Sequence, residues 1–261
     1  MRLRMQFILC ALAAAAFFQG LENFAADFPI LGKDSPETSS VWKNQLASVP
    51  GGTFVMGSRE GDADAQPREV QVGGFRIGRC EVTVAEFVDF LNASGATNWP
   101  GSPQIDKSSG GYSARWFQSR NPVAFVSVAD TADYCRWLSE KTGETVRLPT
   151  EAEWECAARG GIRHARYPWG WGSPEGRACY NAAAVRRVGS FEANPFGLYD
   201  MAGNVFEWCG SAAGEQAPAR GGSWSEKDPK FLRVFHRVLF PQVYRDADVG
   251  FRIVVKEEQS P

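Results

Sequence analysis

The sequence is poor in the residues that most often build catalytic metal centres. It contains two histidines, His164 and His236, and six cysteines, none of which follows Cys209 in a chain of 261 residues. No two cysteines form a CxxC pair, which argues against zinc-ribbon and thioredoxin-like sites. Basic residues never run for more than two positions and the net charge is −2. A nucleic-acid partner and a polybasic membrane patch are therefore not expected.

Long apolar runs are also scarce, and the one exception lies at the N-terminus. Residues 5–18 (MQFILCALAAAAFF) carry no charge and follow Arg2 and Arg4. About 14 apolar residues are too few to cross a bilayer but suit the apolar region of a secretory signal. We predict a signal peptide over residues 1–26 and a periplasmic or extracellular protein with no stable membrane span after its removal. The alternative is an uncleaved anchor or a buried helix.

Export would permit disulfides. Five cysteines follow the predicted signal peptide, so at least one must be unpaired: Cys80, Cys135, Cys156, Cys179 and Cys209. Cys135 and Cys156 fall within predicted helices, where small buried side chains are expected. If any pair forms, we expect it between Cys179 and Cys209, which flank the aromatic segment described below.

The composition indicates a fold rich in loops. The chain has 27 glycines, 15 prolines, 9 tryptophans and 18 phenylalanines. Residues 27–46 are polar and predict a linker, residues 47–256 form one domain without internal repeats, and residues 257–261 form a polar tail. Short strands are predicted over 49–58, 70–77, 122–126 and 249–255, with a long surface loop over 94–120.

Three capping boxes predict helix starts. In each, a hydroxyl residue precedes an acidic residue by three positions, so the two side chains can bond to free amides of the first helical turn. The pairs are Thr83 with Glu86, Ser127 with Asp130, and Thr150 with Glu153.

The most unusual segment, residues 196–208, mixes aromatic and acidic side chains. Its sequence, FGLYDMAGNVFEW, follows neither a helical nor a strand period. Aromatic side chains favour burial, whereas carboxylates resist burial unless they are paired or metal-bound. We therefore predict buried irregular backbone that is held by hydrogen bonds or by a cation.

Seven segments of the chain, in the same order, resemble motifs of the formylglycine-generating-enzyme, or sulfatase-modifying-factor, family. They are PGGTFVMGS (50–58), EVTVAEFVDFLN (81–92), RLPTEAEWECAARGG (147–161), YPWG (167–170), FGLYDMAGNVFEW (196–208), RGGSW (220–224) and GFRIV (250–254). The resemblance covers about residues 47–255. It implies a single α+β domain, a variant of the C-type-lectin-like fold with little regular secondary structure.

The same resemblance implies a structural calcium ion. Its ligands would be the side chains of Asp200 and Glu207 and backbone oxygens at Gly203 and Val205, a set compatible with the all-oxygen coordination of Ca²⁺. From the residues alone, a buried carboxylate satisfied by backbone amides is the alternative. A second family calcium site would use the stretch at Asn181, where the following loop lacks acidic residues, so we expect that site to be lost.

The resemblance also locates a catalytic cleft. The matching pocket residues are Phe206, Ser223, Trp224, Glu226 and Arg233. The family's founding enzyme oxidises a cysteine of sulfatase precursors to formylglycine with copper and two cysteines that follow its RGGSW-like motif. Here the corresponding positions are Glu226 and Phe231. Soft Cu(I) needs thiolate or thioether ligands, so copper-thiolate chemistry is not expected.

Other readings of the same residues remain open. An iron site with two histidines and one carboxylate would need His164, His236 and a group such as Glu226, but two histidines in a chain of this length are more often surface or hydrogen-bonded groups. The charged residues around Glu226 can equally form a solvated loop, and Arg233 can be a structural ion-pair partner.

Two functions follow from these observations. The first is an exported binding or accessory domain, stabilised by calcium, for an unidentified peptide, protein or small molecule. The alternative is an oxidoreductase of the same family that modifies a peptide or small molecule through a site without thiolates. The fold can host both, so fold alone does not decide between them.

Overall fold

Each predicted capping box starts a helix in the computed structural model. Helix α1 spans Val84–Ala93, α2 spans Val128–Thr142 and α3 spans Glu151–Arg159. In all three, the cap hydroxyl accepts from the amide three residues on, and the acidic side chain accepts from the amide of the cap residue. Helices α2 and α3 end at Gly143 and Gly160, which have left-handed backbone that glycine adopts readily. The helix predictions are confirmed.

The structure describes residues 45–61, 65–96, 99–210 and 214–256. The predicted signal peptide and tail, and nearly all of the linker, lie outside these ranges. The described residues fall within one compact unit. None of their helices is long and apolar enough to span a lipid bilayer.

Short strands pair into two four-stranded sheets and two hairpins within the described ranges. The strands are β1 Leu46–Val49, β2 Gly52–Met56, β3 Arg68–Val72, β4 Phe75–Gly78, β5 Ile105–Ser108, β6 Gly111–Ala114, β7 Val146–Arg147, β8 Phe206–Trp208, β9 Gln216–Arg220, β10 Arg237–Pro241, β11 Val249–Gly250 and β12 Val254–Lys256. The first sheet has the order β1-β4-β12-β7 and is antiparallel. The second has the order β10-β9-β8-β11, with β8 and β11 parallel. The hairpins are β2–β3 and β5–β6.

Three predictions of local structure are wrong in detail. The segment 94–120 is not all loop, because it contains the β5–β6 hairpin. Residues 122–126 form no strand: only Pro122 makes a bridge, to Thr83, and Phe125 has a φ of 60° that interrupts extended backbone. The final strand is divided into β11 and β12, because Arg252 between them turns its side chain into the core.

The main core forms around α3. Trp154, Ala157 and Ala158 are fully buried and lie on one face of the helix, at the three- and four-residue spacing of an amphipathic helix. They share a cluster with side chains from β4, β12 and the segment 196–208: Phe75, Ile77, Leu198, Met201 and Val254. Helix α3 therefore holds the irregular segment against the first sheet.

A second set of aromatic contacts joins α1 and α2. Phe87 stacks on Tyr134 with ring centroids 6.0 Å apart, and Phe251 packs edge-on against both rings. Phe251 directly precedes the buried Arg252, so these contacts fix the chain on one side of that residue.

Arg252 is the most highly connected buried side chain of the described fold. It is 0% exposed and all five of its N–H groups have acceptors. Nε and Nη2 each donate to the carboxylate of Glu207 at 2.6 Å, and the remaining bonds reach the carbonyl oxygens of Gly78, Arg79 and Tyr199. This guanidinium thus links β4, β8 and the segment 196–208.

Replacing Arg252 by Met should destabilise the protein strongly, because Glu207 would remain buried without a counter-charge. Loss of one partner of a buried ion pair typically costs about 3–5 kcal/mol, and urea unfolding of the variant measures the change. The matched control is Arg115→Met, since Arg115 pairs with Asp106 at the surface and exposed pairs contribute about 1 kcal/mol or less. Equal losses in the two variants would contradict the central role of Arg252.

Candidate functional site

The segment 196–208 is irregular up to β8, as predicted, and left-handed backbone at four of its residues shapes it. Gly197, Asp200, Gly203 and Asn204 have φ values of 75°, 55°, 80° and 64°. Among residues with a side chain, Asn and Asp tolerate this left-handed region best. A Cβ atom on Gly203 would lie 2.3 Å from the carbonyl oxygen of Cys179, so glycine is required where these two stretches of chain meet. The turns direct polar side chains into the protein.

Glu207 lies at the centre of this region and is 0% exposed. Besides its two bonds with Arg252, its Oε2 accepts from the indole nitrogen of Trp154 at 2.7 Å. Both carboxylate oxygens therefore accept short hydrogen bonds. Glu207, which was predicted as a calcium ligand, is instead bound by Arg252 through two hydrogen bonds.

Asp200, the other predicted carboxylate ligand, is 8% exposed. Its Oδ2 accepts from the backbone N–H of Gly189 at 2.6 Å. Burial raises the pKa of Asp200 to about 6, although the Gly189 hydrogen bond and the charge of Arg252 act in the opposite direction. Asp200 is thus a carboxylate whose environment does not fully stabilise its charge.

Glu81 is a third buried carboxylate, and the sequence did not single it out. It is 1% exposed, and its Oε1 accepts from the side-chain amide of Asn204 at 2.9 Å. Within the described ranges its Oε2 has no hydrogen-bond partner. Burial, and then the charge of Asp200, raise the pKa of Glu81 well above its usual range. Its place two residues before the Thr83 cap, next to the buried Val82, was a weak signal in the sequence.

Asn204 holds several parts of this site together. Its Nδ2 donates to Glu81, and its Oδ1 accepts from the backbone N–H of Arg186 at 2.9 Å. Its backbone N–H donates to Cys179 and its carbonyl accepts from the N–H of Trp224. One buried amide residue therefore connects the acidic cluster to the RGGSW segment.

The charges in this cluster do not balance. Three carboxyl groups surround the guanidinium of Arg252: Glu81, Asp200 and Glu207. The charge of Glu207 raises the pKa of both Glu81 and Asp200, whereas the charge of Arg252 lowers them. If every carboxyl were ionised, the cluster would carry two uncompensated negative charges in a buried position, which is costly without protons or a cation.

The other two predicted ligands, Gly203 and Val205, lie on the same turn. Val205 is fully buried, and the N–H of Gly203 donates to Gly221, so this backbone is fixed in place. No group of three or more His, Cys, Asp or Glu side chains arranged for a metal occurs in the part of the chain that the structure describes. A cation at this site would therefore need backbone oxygens as well as carboxylates.

The predicted pocket residues do not all come together. Ser223 is fully buried, with its Oγ 3.0 Å from that of Ser225. Phe206 is also buried and packs edge-on against Phe240 at 5.7 Å. Trp224 is half-buried and its indole N–H donates to the carbonyl of Ala247 at 3.0 Å.

Glu226 belongs to an acidic group that the sequence did not predict. Its pKa is raised by burial and by the charges of Asp248 and Asp228. Burial and Asp246 raise the pKa of Asp248, whose backbone carbonyl accepts from the N–H of Phe206 at 2.7 Å. Asp248 directly precedes β11 and is 22 residues from Glu226 in the sequence. The two side chains come together only in the folded protein, so no sequence motif could pair them.

Arg233 lies in a different neighbourhood. Its guanidinium donates to the carbonyl of Glu60 at 3.4 Å and lies 5.9 Å from the ring centre of Phe235. These contacts join Arg233 to a backbone carbonyl and an aromatic ring, and its place in the pocket stays a prediction.

The histidines of the iron alternative are also placed. His164 is exposed in the turn after α3, whereas His236 packs edge-on against Phe231 at 4.9 Å. They and Glu226 all belong to the described ranges, in which no metal-binding group of three such side chains occurs.

The expected pairing of Cys179 with Cys209 is wrong. All five cysteines after the predicted signal are free thiols. Cys209 lies in the core around α3, whereas the Sγ of Cys179 donates to the carbonyl of Ala184. Proximity in the sequence to the aromatic segment did not bring the two sulfurs together.

Comparison with known proteins identifies this architecture. Residues 33–257 match the sulfatase-modifying factor enzyme 1-like domain. The formylglycine-generating enzyme of Thermomonospora curvata is 32% identical over 218 residues, which are 63% of this chain and 70% of that enzyme. The inactive C-alpha-formylglycine-generating enzyme 2 of Mus musculus is 32% identical over 235 residues, or 69% of this chain and 74% of that protein.

One solved structure and one longer relative complete the comparison. PvdO from Pseudomonas aeruginosa superposes with a TM-score of 0.68 and 29% identity, covering 81% of this chain and 94% of PvdO. The serine/threonine-protein kinase pkn1 of Chlamydia caviae is 34% identical over 223 residues. This match covers 74% of the present chain but only 35% of that kinase. The motifs, the α+β fold and these matches agree, and the chain belongs to the sulfatase-modifying factor, or formylglycine-generating-enzyme-like, family.

Proposed function

We propose that this protein is an exported binding or accessory domain of the family, stabilised by calcium and without copper-dependent formylglycine synthesis. The segment after RGGSW carries the proposal. Glu226 and Phe231 occupy the positions where the resemblance places two catalytic cysteines, and no cysteine follows Cys209. A carboxylate and a phenyl ring cannot replace thiolates as ligands of Cu(I).

A cleft on the surface supports a binding role. Its volume is about 610 Å³, and its walls include Trp169, Arg177, Phe191 and Glu192. Sites for small ligands commonly have this size and combine aromatic walls with a few polar groups. Trp169 is held in place by stacking on Tyr167 at 5.2 Å.

The name of the mouse relative supports a non-catalytic role. Its name describes it as inactive, and it shares the family with proteins named as formylglycine-generating enzymes. Loss of the activity within this family is therefore consistent with retention of the fold.

Calcium fits the residues of the acidic cluster. The side-chain ligands available are carboxylates, the backbone there is irregular and buried, and Oε2 of Glu81 lacks a partner within the described ranges. Bound calcium would supply the positive charge that the buried carboxylates lack. Secretion, to the periplasm or the medium, is inferred from Arg2, Arg4 and the apolar residues 5–18.

A second candidate function is oxidative modification of a peptide or small molecule. It is favoured by Glu226 and Asp248, two carboxyl groups with raised pKa beside the RGGSW segment. Raised pKa values are common among acids and bases of catalytic sites. Such an enzyme would use a centre without thiolates.

Removal of calcium should lower the melting temperature of the purified protein. Metal binding contributes to the free energy of folding, so dialysis against EDTA should shift the thermal transition downward and calcium should restore it. Calorimetry with metal analysis of the same samples provides the test. An unchanged transition in EDTA would rule out a structural calcium.

The metal-free protein should lose stability as the pH rises. Because burial raises the pKa of Asp200 from 3.8 to about 6, its protonated form favours the folded state, and this contribution disappears as the pH passes through about 6. The expected loss in the free energy of unfolding is on the order of 2–3 kcal/mol between pH 4 and pH 7. Denaturant unfolding in EDTA measures it, and Asp200→Asn should make the fall less steep, leaving the part that the raised pKa of the buried Glu81 contributes. A variant curve that falls as steeply as that of the wild type would contradict the assignment.

The protein should not convert cysteine to formylglycine in a sulfatase peptide. A peptide with the substrate cysteine, incubated with protein, copper and oxygen, should keep its mass, while a formylglycine-generating enzyme with both cysteines serves as the positive control. Turnover above background would overturn the proposed loss of copper chemistry.

A further inference from the structure

We propose that Glu81, rather than Glu207, supplies the second carboxylate ligand of the cation bound at Asp200. This inference rests on the calcium site of the proposed function and changes one of its ligands. It also gives Glu207 a separate task, which is to hold Arg252.

Glu207 is the less suitable ligand because its oxygens are already occupied. Arg252 donates to both of them at 2.6 Å, and Trp154 adds a third bond to Oε2. Charge-assisted bonds of this length are among the strongest in proteins. A cation drawing Glu207 away would leave the guanidinium of Arg252 buried with fewer acceptors, which is strongly unfavourable.

Glu81 has the opposite properties. Its side chain is almost completely buried, and one oxygen is fixed by the amide of Asn204 at 2.9 Å. The other oxygen lacks a partner among the residues that the structure describes. Buried polar atoms nearly always have a partner, and an exception calls for a bound water, ion or proton.

The position of Glu81 beside Asp200 identifies what the missing partner would be. The hydrogen bond from the Asn204 side chain ties Glu81 to the turn that begins at Asp200, and neither carboxyl group is a donor when ionised. Two facing carboxylates are compatible only if a proton or a cation lies between them. With Glu207 and Arg252 forming a neutral pair, Glu81 and Asp200 leave two negative charges, which one divalent cation balances.

The surrounding groups favour a hard cation. The ligands that the cluster offers are carboxylate and backbone oxygens, which suit calcium.

Two matched variants separate the roles of the carboxylates. Glu81→Gln keeps the size of the side chain and an oxygen for the Asn204 amide, but removes the charge. Glu207→Gln removes the charge that faces Arg252. Calcium affinity is measured by isothermal titration calorimetry on the EDTA-stripped full chain, and thermal melting is recorded with and without calcium.

Opposite patterns are expected for the two variants. Glu81→Gln should melt at the same temperature as the wild type in EDTA or higher, while its affinity for calcium falls by about tenfold or more. Glu207→Gln should melt at a lower temperature in EDTA, yet calcium should still raise its melting temperature. Glu81→Asp, which keeps the charge on a shorter side chain, should bind calcium more weakly than the wild type. This third variant provides the test if the glutamine variant fails to fold.

The results also separate this inference from the proposed function. If the wild type neither binds calcium nor responds to it, the structural calcium itself is wrong, and the carboxylate pair must be satisfied by a shared proton. If the wild type responds and the Glu81 variants bind calcium as tightly as it does, only the role of Glu81 is wrong. Loss of binding in Glu207→Gln alone would return the ligand role to Glu207.

Discussion

The buried pair of Arg252 and Glu207 is the interaction on which the irregular half of this fold depends. A long loop-rich region cannot satisfy its backbone through helix and sheet hydrogen bonds, so other donors must reach it. Arg252 does this with a planar group of five donors, three of which bind carbonyl oxygens from β4, the residue after it and the segment 196–208. Glu207 provides the counter-charge, and Trp154 connects the pair to α3. The aromatic and acidic residues that seemed incompatible in one segment are thus parts of one packed arrangement.

This arrangement explains which features the sequence could reveal. A capping box is local, because its two side chains bond to amides within one turn, and all three helix starts were predictable from pairs such as Thr150 and Glu153. The ordered motifs likewise predicted the family and the α+β class. By contrast, Arg252 reaches partners up to 174 residues away. No period or spacing in the sequence contains that information.

The site shows the same division between local and distant information. Asp200 and Glu207 were expected as a pair because they lie close together in a recognisable motif. Glu81 was missed because it lies 123 residues before Asn204 and its place before a capped helix already had an ordinary explanation. The expected disulfide failed for a related reason: two cysteines that flank a motif need not approach in space. Side chains that meet across the core must be located by the fold itself.

Asn204 has a consequence for how the two halves of the site influence each other. Its side chain holds Glu81, while its carbonyl receives the N–H of Trp224 in the RGGSW segment. A cation that orders Asn204 would therefore change the free energy of ordering Trp224. Coupling of this kind is reciprocal, so a ligand that holds Trp224 in place would tighten the cation by the same factor. Calcium bound in this domain would then act as an effector of any ligand that contacts Trp224.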